Sequence, residues 1–208
     1  LDSIDTADID GDGELEVAFG TGGGTYGQRA YTVEPGGELI TEFKGSYGEK
    51  RVAFAQLQEG DPHRMVRLER TDGTVEVFPT DSGEALWTYP TSGLTSVGPF
   101  VRDFDGDGLD EIAAAGASGD VYMLQGGDDH LTWRTNVGSP ISAMDVATVH
   151  DSPLIAVGTH SGQIFILDST GAVIAHAQVG GSVASLTMDA TGSIAAGLSD
   201  GTVEILKR

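Results

Sequence analysis

Cysteine is absent from the 208 residues, which excludes disulfides, thiolate zinc sites and a cysteine nucleophile. Any staple is left to a metal or to packing. Lysine is scarce, with only Lys44, Lys50 and Lys207, and all bases together number 11 against 32 acids, for a formal charge of −21. A surface this negative repels nucleic acid and anionic lipid headgroups, which argues against both as partners. No apolar run reaches the ~18 residues of a spanning helix, so no direct membrane insertion is expected. No stretch keeps the period of about 3.6 residues that marks an amphipathic helix. Helices should be few or none. The chain opens on Leu1 with no charged-then-apolar leader after it, as expected of a mature product or a piece of something longer.

What the chain has in quantity is glycine, 31 residues evenly spread. Short β-branched runs alternate with Gly/Asp/Ser/Thr turns, the pattern of many short antiparallel strands. Self-comparison aligns four segments on a turn-then-strand unit: TDGTVEVFPTDSGEALWTY (71–89), ASGDVYMLQGGDDHLTWRT (117–135), HSGQIFILDSTGAVIAHA (160–177) and SDGTVEILKR (199–208). RAYTVEPGGELITEF (29–43) is a weaker copy, and the turn glycines Gly73, Gly119, Gly162 and Gly201 are separated by 46, 43 and 39 residues. Each full unit reads as an inner strand, a second strand rich in Ala and Gly, a third of the Val-Tyr-Met-Leu kind and an outer one near Trp. Four antiparallel strands per ~40–45 residues make the blade of a β-propeller.

The expected fold is therefore all-β, one propeller domain over 1–208 with blades at roughly 1–46, 47–93, 94–138, 139–180 and 181–208. The last blade has three strands only, so either the ring closes without a terminal clasp or further chain belongs to it. Trp87 and Trp133 fall at equivalent outer positions, with Phe43 and His176 expected in their places in other copies, as packing between blades.

Two stretches crowd like charges onto one turn: DIDGDGELE (8–16) and DFDGDGLDE (103–111), each running into a strand. Ca²⁺ takes 6–8 oxygen ligands at about 2.3–2.6 Å, and alternate positions of a tight loop can converge on one point. The first loop offers Asp8, Asp10 and Asp12, the carbonyl of Glu14 and the carboxylate of Glu16; the second offers Asp103, Asp105, Asp107, the Leu109 carbonyl and Glu111. Gly11, Gly13, Gly106 and Gly108 supply the backbone freedom to wrap an ion. A helical EF-hand would need Glu at loop position 12, which here falls on Phe19 and Ala114. Instead D-x-D-G-D-G-x-x-E leads into a strand, a spacing that resembles the FG-GAP/VCBS calcium repeat of integrin-type and related extracellular propellers. The resemblance implies two structural Ca²⁺ sites. SGQIFILDSTGAVI and DGTVEVFPTDSGEALWTY are similar to PQQ-like, quinoprotein-type blades, related in turn to WD40 blades, and the loops at 56–61, 145–151 and 188–193 lack the carboxylate series.

Other motifs carry less. GGGTYG (22–27) satisfies G-x-G-x-x-G but opens no helix, so it reads as a hairpin loop. His63, His130, His150, His160 and His176 never fall at i, i+4 on a helix; His160 suits a capping hydrogen bond, and the pair His150-Asp151 has no serine elbow to serve. The ligand funnel of a quinoprotein dehydrogenase has no match. LQEGDPHRMVRLERTDG (57–73) alone is long and charged enough to host the groups of a propeller-type polysaccharide lyase.

With no catalytic constellation in view, the expectation is a non-catalytic, calcium-stabilised propeller at the cell surface, binding protein or glycan. A carbohydrate-active enzyme and a structural subunit of a surface filament are the alternatives, the latter with a strand donor completing the last blade. Abundant acid with little lysine also resembles proteins of extreme halophiles such as the haloarchaea, in which molar salt screens the self-repulsion.

Overall fold

The computed structural model describes residues 3–22, 29–45, 50–71 and 73–207. GGGTYG, apart from Gly22, lies outside them. Among the described residues the chain forms nineteen strands and no helix, arranged as successive antiparallel sheets. The first sheet holds β1 (Ser3–Ala7), β2 (Glu16–Gly20), β3 (Arg29–Val33) and β4 (Leu39–Lys44); the second holds β5 (Lys50–Ala55), β6 (Arg64–Glu69), β7 (Thr74–Pro79) and β8 (Trp87–Pro90). The third runs through β9 (Thr95–Arg102), β10 (Glu111–Gly116), β11 (Asp120–Leu124) and β12 (Leu131–Asn136). The fourth runs through β13 (Ile141–Val149), β14 (Ser152–Thr159), β15 (Gln163–Leu167) and β16 (Val173–Gln178). The last has β17 (Val183–Met188), β18 (Ile194–Leu198) and β19 (Val203–Leu206) only. Four-stranded blades in chain order make the expected propeller.

Period-two alternation sends each strand's side chains to two opposite faces, and both faces of an interior blade are covered. In β10, Ile112 and Ala114 join the core shared with the second blade, while Ala113 and Ala115 join that shared with the fourth. All four are fully buried. Small residues at this second strand let neighbouring sheets close on each other, so the core is a series of seams between blades. Burial of this kind stabilises by roughly 25 cal/mol per Å² of apolar surface.

Inner strands pack in succession, β1 on β5, β5 on β9, β9 on β13 and β13 on β17. Polar side chains pin several of these pairs. Ser3 Oγ accepts the Val52 amide at 2.7 Å and Asp5 Oδ2 the Phe54 amide at 2.8 Å. At the other end Asp145 Oδ2 accepts the Met188 amide at 2.7 Å.

The aromatic positions need one correction. Trp87 pairs with Val77 and Trp133 with Met123, at the same station of their blades. Phe43 pairs with Ala30, two residues along the same face, and His176 pairs with Phe165 on the opposite face. Ala175, opposite Ile166, is the true counterpart of Trp133. The bulge between the third and fourth strands is common to the first, third and fourth blades; the turn before the fourth strand is one residue shorter in the first (34–38) and fourth (168–172) than in the third (125–130), and this shifts the register that the sequence alignment assumed.

Candidate metal centre

Each acidic loop joins the first strand of its blade to the second, and the two loops fold alike. Asp8 Oδ1 and Oδ2 accept the amides of Gly11 and Gly13 at 2.6 and 3.1 Å, and Asp103 does the same for Gly106 and Gly108 at 2.6 and 3.0 Å. Asp10 caps the Asp12 amide at 3.1 Å and Asp105 the Asp107 amide at 3.0 Å. Asp12 caps Glu14 and Asp107 caps Leu109, both at 2.8 Å. Glu16 Oε2 accepts the Ile9 amide and Glu111 Oε2 the Phe104 amide, again both at 2.8 Å. The amides of Gly11 and Gly106 can point inward because both residues sit at positive φ, 83° and 87°.

This folding brings the carboxylates of Asp8, Asp10 and Glu16 together with oxygens within 4.8 Å of one another, and those of Asp103, Asp105 and Glu111 likewise. Asp12 and Asp107 stand outside these triads and serve the backbone turn. Glu14 is exposed and Leu109 half-buried, each donating its amide to the aspartate two residues earlier. Oxygens bound to one Ca²⁺ at about 2.3–2.6 Å lie no more than about 5 Å apart, so each triad fits one such ion. Glu16 is 1% exposed, and its Oε1 is buried with no hydrogen-bond partner. An unpaired carboxylate oxygen in such a place is costly unless a cation meets it. At Glu111 burial pushes the carboxyl up to about 7; the Phe104 hydrogen bond opposes this, and the negative charge of Asp105, Asp107 and Asp103 reinforces it.

Three neighbours were not visible as loop residues. Glu34, just after β3, lines a cavity of about 320 Å³ with Asp10 and Glu16. Its carboxyl is raised, by burial first and then by the charges of Glu16, Asp10, Asp12 and Glu38. Gln125, just after β11, occupies the matching place beside Asp107 and Glu111 in a cavity of about 310 Å³. Asp110 ties the second loop to the second blade: its Oδ2 accepts the Gln56 amide at 2.7 Å, and its own amide donates to the Gln56 carbonyl at 2.8 Å. The acid at 110 against Leu15 in the first loop was the one signal of that tie.

Among the described residues the same corner of the remaining blades holds no carboxylate cluster. Arg64 takes the register position of Glu16 and Glu111 and pairs with Asp61 at 2.7 Å. The fourth blade turns in two residues, His150 and Asp151, both at positive φ (50° and 62°), too short to wrap an ion. In the fifth, Asp189 Oδ1 accepts the amides of Thr191 and Ser193 and the Thr191 hydroxyl. His160 Nδ1 lies 3.3 Å from Ser182 Oγ, and His130 stacks on Trp87, so both histidines act in packing and capping.

Residues 70–190 match the model of the lambda-carrageenase beta-propeller domain. The chain belongs to that family. The match takes in the second acidic loop and leaves the first outside. Within this carrageenase-type propeller, 104 residues are 30% identical to the lambda-carrageenase of Pseudoalteromonas carrageenovora, covering 50% of this chain and 11% of that enzyme. A stretch of 94 residues is 32% identical to the outer membrane protein assembly factor BamB of Burkholderia pseudomallei (strain K96243), covering 45% of this chain and 24% of the relative. Both matches thus span a minor part of the relatives. Among solved structures, BBS1N in complex with ARL6DN superposes on 97% of this chain and 60% of its own, with a TM-score of 0.68 at 15% identity. The WD40 propeller of Doa1 covers 93% of the chain with a TM-score of 0.62 at 13% identity. These similarities show the propeller fold.

Proposed function

We propose that this carrageenase-type propeller is a non-catalytic binding and assembly module, held in shape by Ca²⁺ in both acidic loops and displayed outside the cell. The observation that carries the reading is the buried, unpartnered Oε1 of Glu16 inside a carboxylate triad that recurs at Glu111. Asp8, Asp10 and Glu16 would hold one ion, Asp103, Asp105 and Glu111 the other. The ion supplies positive charge that lets three carboxylates share a corner, as in the FG-GAP/VCBS repeats the loops resemble. Oxygen-only ligands and the absence of cysteine favour this hard cation over softer metals. BBS1N in its complex with ARL6DN, and the assembly factor BamB, support a protein as the partner class. The charge of −21 agrees with a halophilic surface.

The decisive experiment is thermal unfolding in excess chelator and after calcium is restored. Calcium is expected to raise the melting temperature; equal melts in both conditions sink the reading. The lambda-carrageenase relatives support a second reading, in which the propeller accompanies an activity on carrageenan. Release of reducing ends from that polysaccharide by this chain would favour it.

A further inference from the structure

The two acidic corners differ in what stands across from the triad. Glu34 and Gln125 hold the same station, the first residue after the third strand, where the amide of each closes its turn on the carbonyl of Glu38 and of His130, both at 2.8 Å. Glu34 lines a cavity with Asp10 and Glu16, and Gln125 lines its counterpart with Asp107 and Glu111. The Gln125 side chain is tied to its own hairpin: Nε2 donates to the Asp129 carbonyl at 3.2 Å, and Oε1 accepts the Thr132 hydroxyl at 3.2 Å. Among the described residues no hydrogen bond or ion pair engages the half-buried Glu34 carboxylate.

The other charged groups around the cavities leave this difference in place. Arg64, which shares the first cavity, is held by Asp61 at 2.7 Å. Each cavity takes one exposed acid from the second blade, Asp81 in the first and Glu59 in the second, and these offset one another. Asp110, on the wall of the second, is engaged by the Gln56 amide at 2.7 Å. Glu16, 1% exposed, leaves Oε1 buried and unpartnered in the wall it shares with Glu34. Two carboxylates with oxygens to offer thus border one cavity of about 320 Å³, beside the Asp8, Asp10 and Glu16 triad.

We propose that Glu34 is an outer ligand of the first centre, acting on the ion through water, and that the two centres are therefore unequal, the first taking Ca²⁺ more tightly than the second. The inference rests on the reading of both loops as calcium sites and adds to it a residue outside the loop motif. Ca²⁺ takes 6–8 oxygens, so a triad of carboxylates leaves positions that water can fill. Glu34 is not among the groups whose oxygens lie within 4.8 Å of one another, so a water between it and the ion is the contact the cavity allows. A free carboxylate accepts a hydrogen bond from metal-bound water, orients it and adds negative charge to the site; an amide already tied into its hairpin does none of these. The centre with Glu34 fills first as calcium rises, and the second follows at higher concentration.

The test is a calorimetric titration of Ca²⁺ into the chelator-stripped whole chain at one fixed salt concentration. Two classes of site are expected, about tenfold or more apart in Kd. In an Asp105→Ala background, which leaves the first centre, Glu34→Gln should weaken binding about tenfold or more. In an Asp10→Ala background, which leaves the second, Glu34→Gln should change nothing. The calcium-free melting temperature of Glu34→Gln should equal or exceed that of the native chain, because the substitution removes a like-charge repulsion and no contact; a merely structural role would lower it. Two equal sites, a Glu34→Gln effect in both backgrounds or in neither, or a lower calcium-free melt overturns the proposal. Those results leave the calcium reading standing, whereas a native chain that binds no calcium removes that reading and the proposal together.

Discussion

Glu16 and Glu111 stand in the same place of two blades, each with one carboxylate oxygen accepting the amide seven residues before it at 2.8 Å. Both are buried at the first residue of a second strand, so each loop folds back onto the strand it feeds. The other oxygen of Glu16 is buried with no hydrogen-bond partner. On the proposed reading a cation meets it and locks the link between the two strands.

If this is so, Asp10→Ala and Asp105→Ala should each remove part of the calcium-induced rise in melting temperature, and the double variant nearly all of it. A site filled at about a hundred times its Kd stabilises by about 2.7 kcal/mol, which for a chain of this length is about 5–10 °C. Scanning fluorimetry across a calcium titration reads the effect. Asp12→Asn, outside the triad, should retain most of the shift.

The Asp120 carboxylate is 1% exposed and receives Arg134 Nε and Nη2 and Asn136 Nδ2, each at 2.8 Å. Burial pushes its pKa up, but hydrogen bonds from Arg134, Asn136 and Ser118, with the Arg134 charge, outweigh this and hold it below the usual 3.8. A depressed carboxyl contributes stability that is present above its unfolded pKa and disappears as pH falls through the folded one. Melting temperatures followed from about pH 6 to pH 3 should therefore drop more steeply in the native chain than in Asp120→Asn. Parallel curves would assign the fork no net role.

Much of the architecture was legible because a blade is a local unit. Strand, turn and strand recur in sequence, and the acidic loops announce themselves by composition. What escaped the sequence lies between units. Asp110 looked like one more acid, yet it binds Gln56 of the preceding blade. Glu34 sits in a turn eighteen residues from Glu16 and reaches the same cavity only through sheet pairing. Phe43 and His176 were matched to the tryptophans by spacing, but the turns before β4 and β16 are one residue shorter than the turn before β12, and a one-residue slip is enough to turn a side chain such as His176 to the opposite face.

Trp133 lies over Gly171, where an added Cβ would come within 2.6 Å of the indole ring, and Gly171 itself is at φ 80°. Gly171→Ala should therefore displace the ring and weaken its hydrogen bond to Ser169. Overpacking of this kind costs about 1–3 kcal/mol. A lower melting temperature with a red-shifted tryptophan emission is the expected pair of readings, and Gly138→Ala, with nothing near its Cβ, controls for strain at positive φ alone.

Asp145 reaches from β13 to β17, where its Oδ2 accepts the Met188 amide at 2.7 Å and the Thr187 hydroxyl at 3.0 Å. Asp5 makes the matching contact at the other end of the array, on the Phe54 amide. Asp145→Ala should leave the Met188 amide without its acceptor, a loss of about 1–3 kcal/mol for a buried donor. β13 and β17 are the inner-strand pair through which the fifth sheet packs on the fourth, and Asp145 bridges them directly. Amide hydrogen exchange should then accelerate at Met188 and along β17 to β19 while Phe54 keeps its protection. Uniform acceleration across all blades would mean that the fifth blade unfolds only with the whole, and that the Asp145 contact does not separately govern its docking.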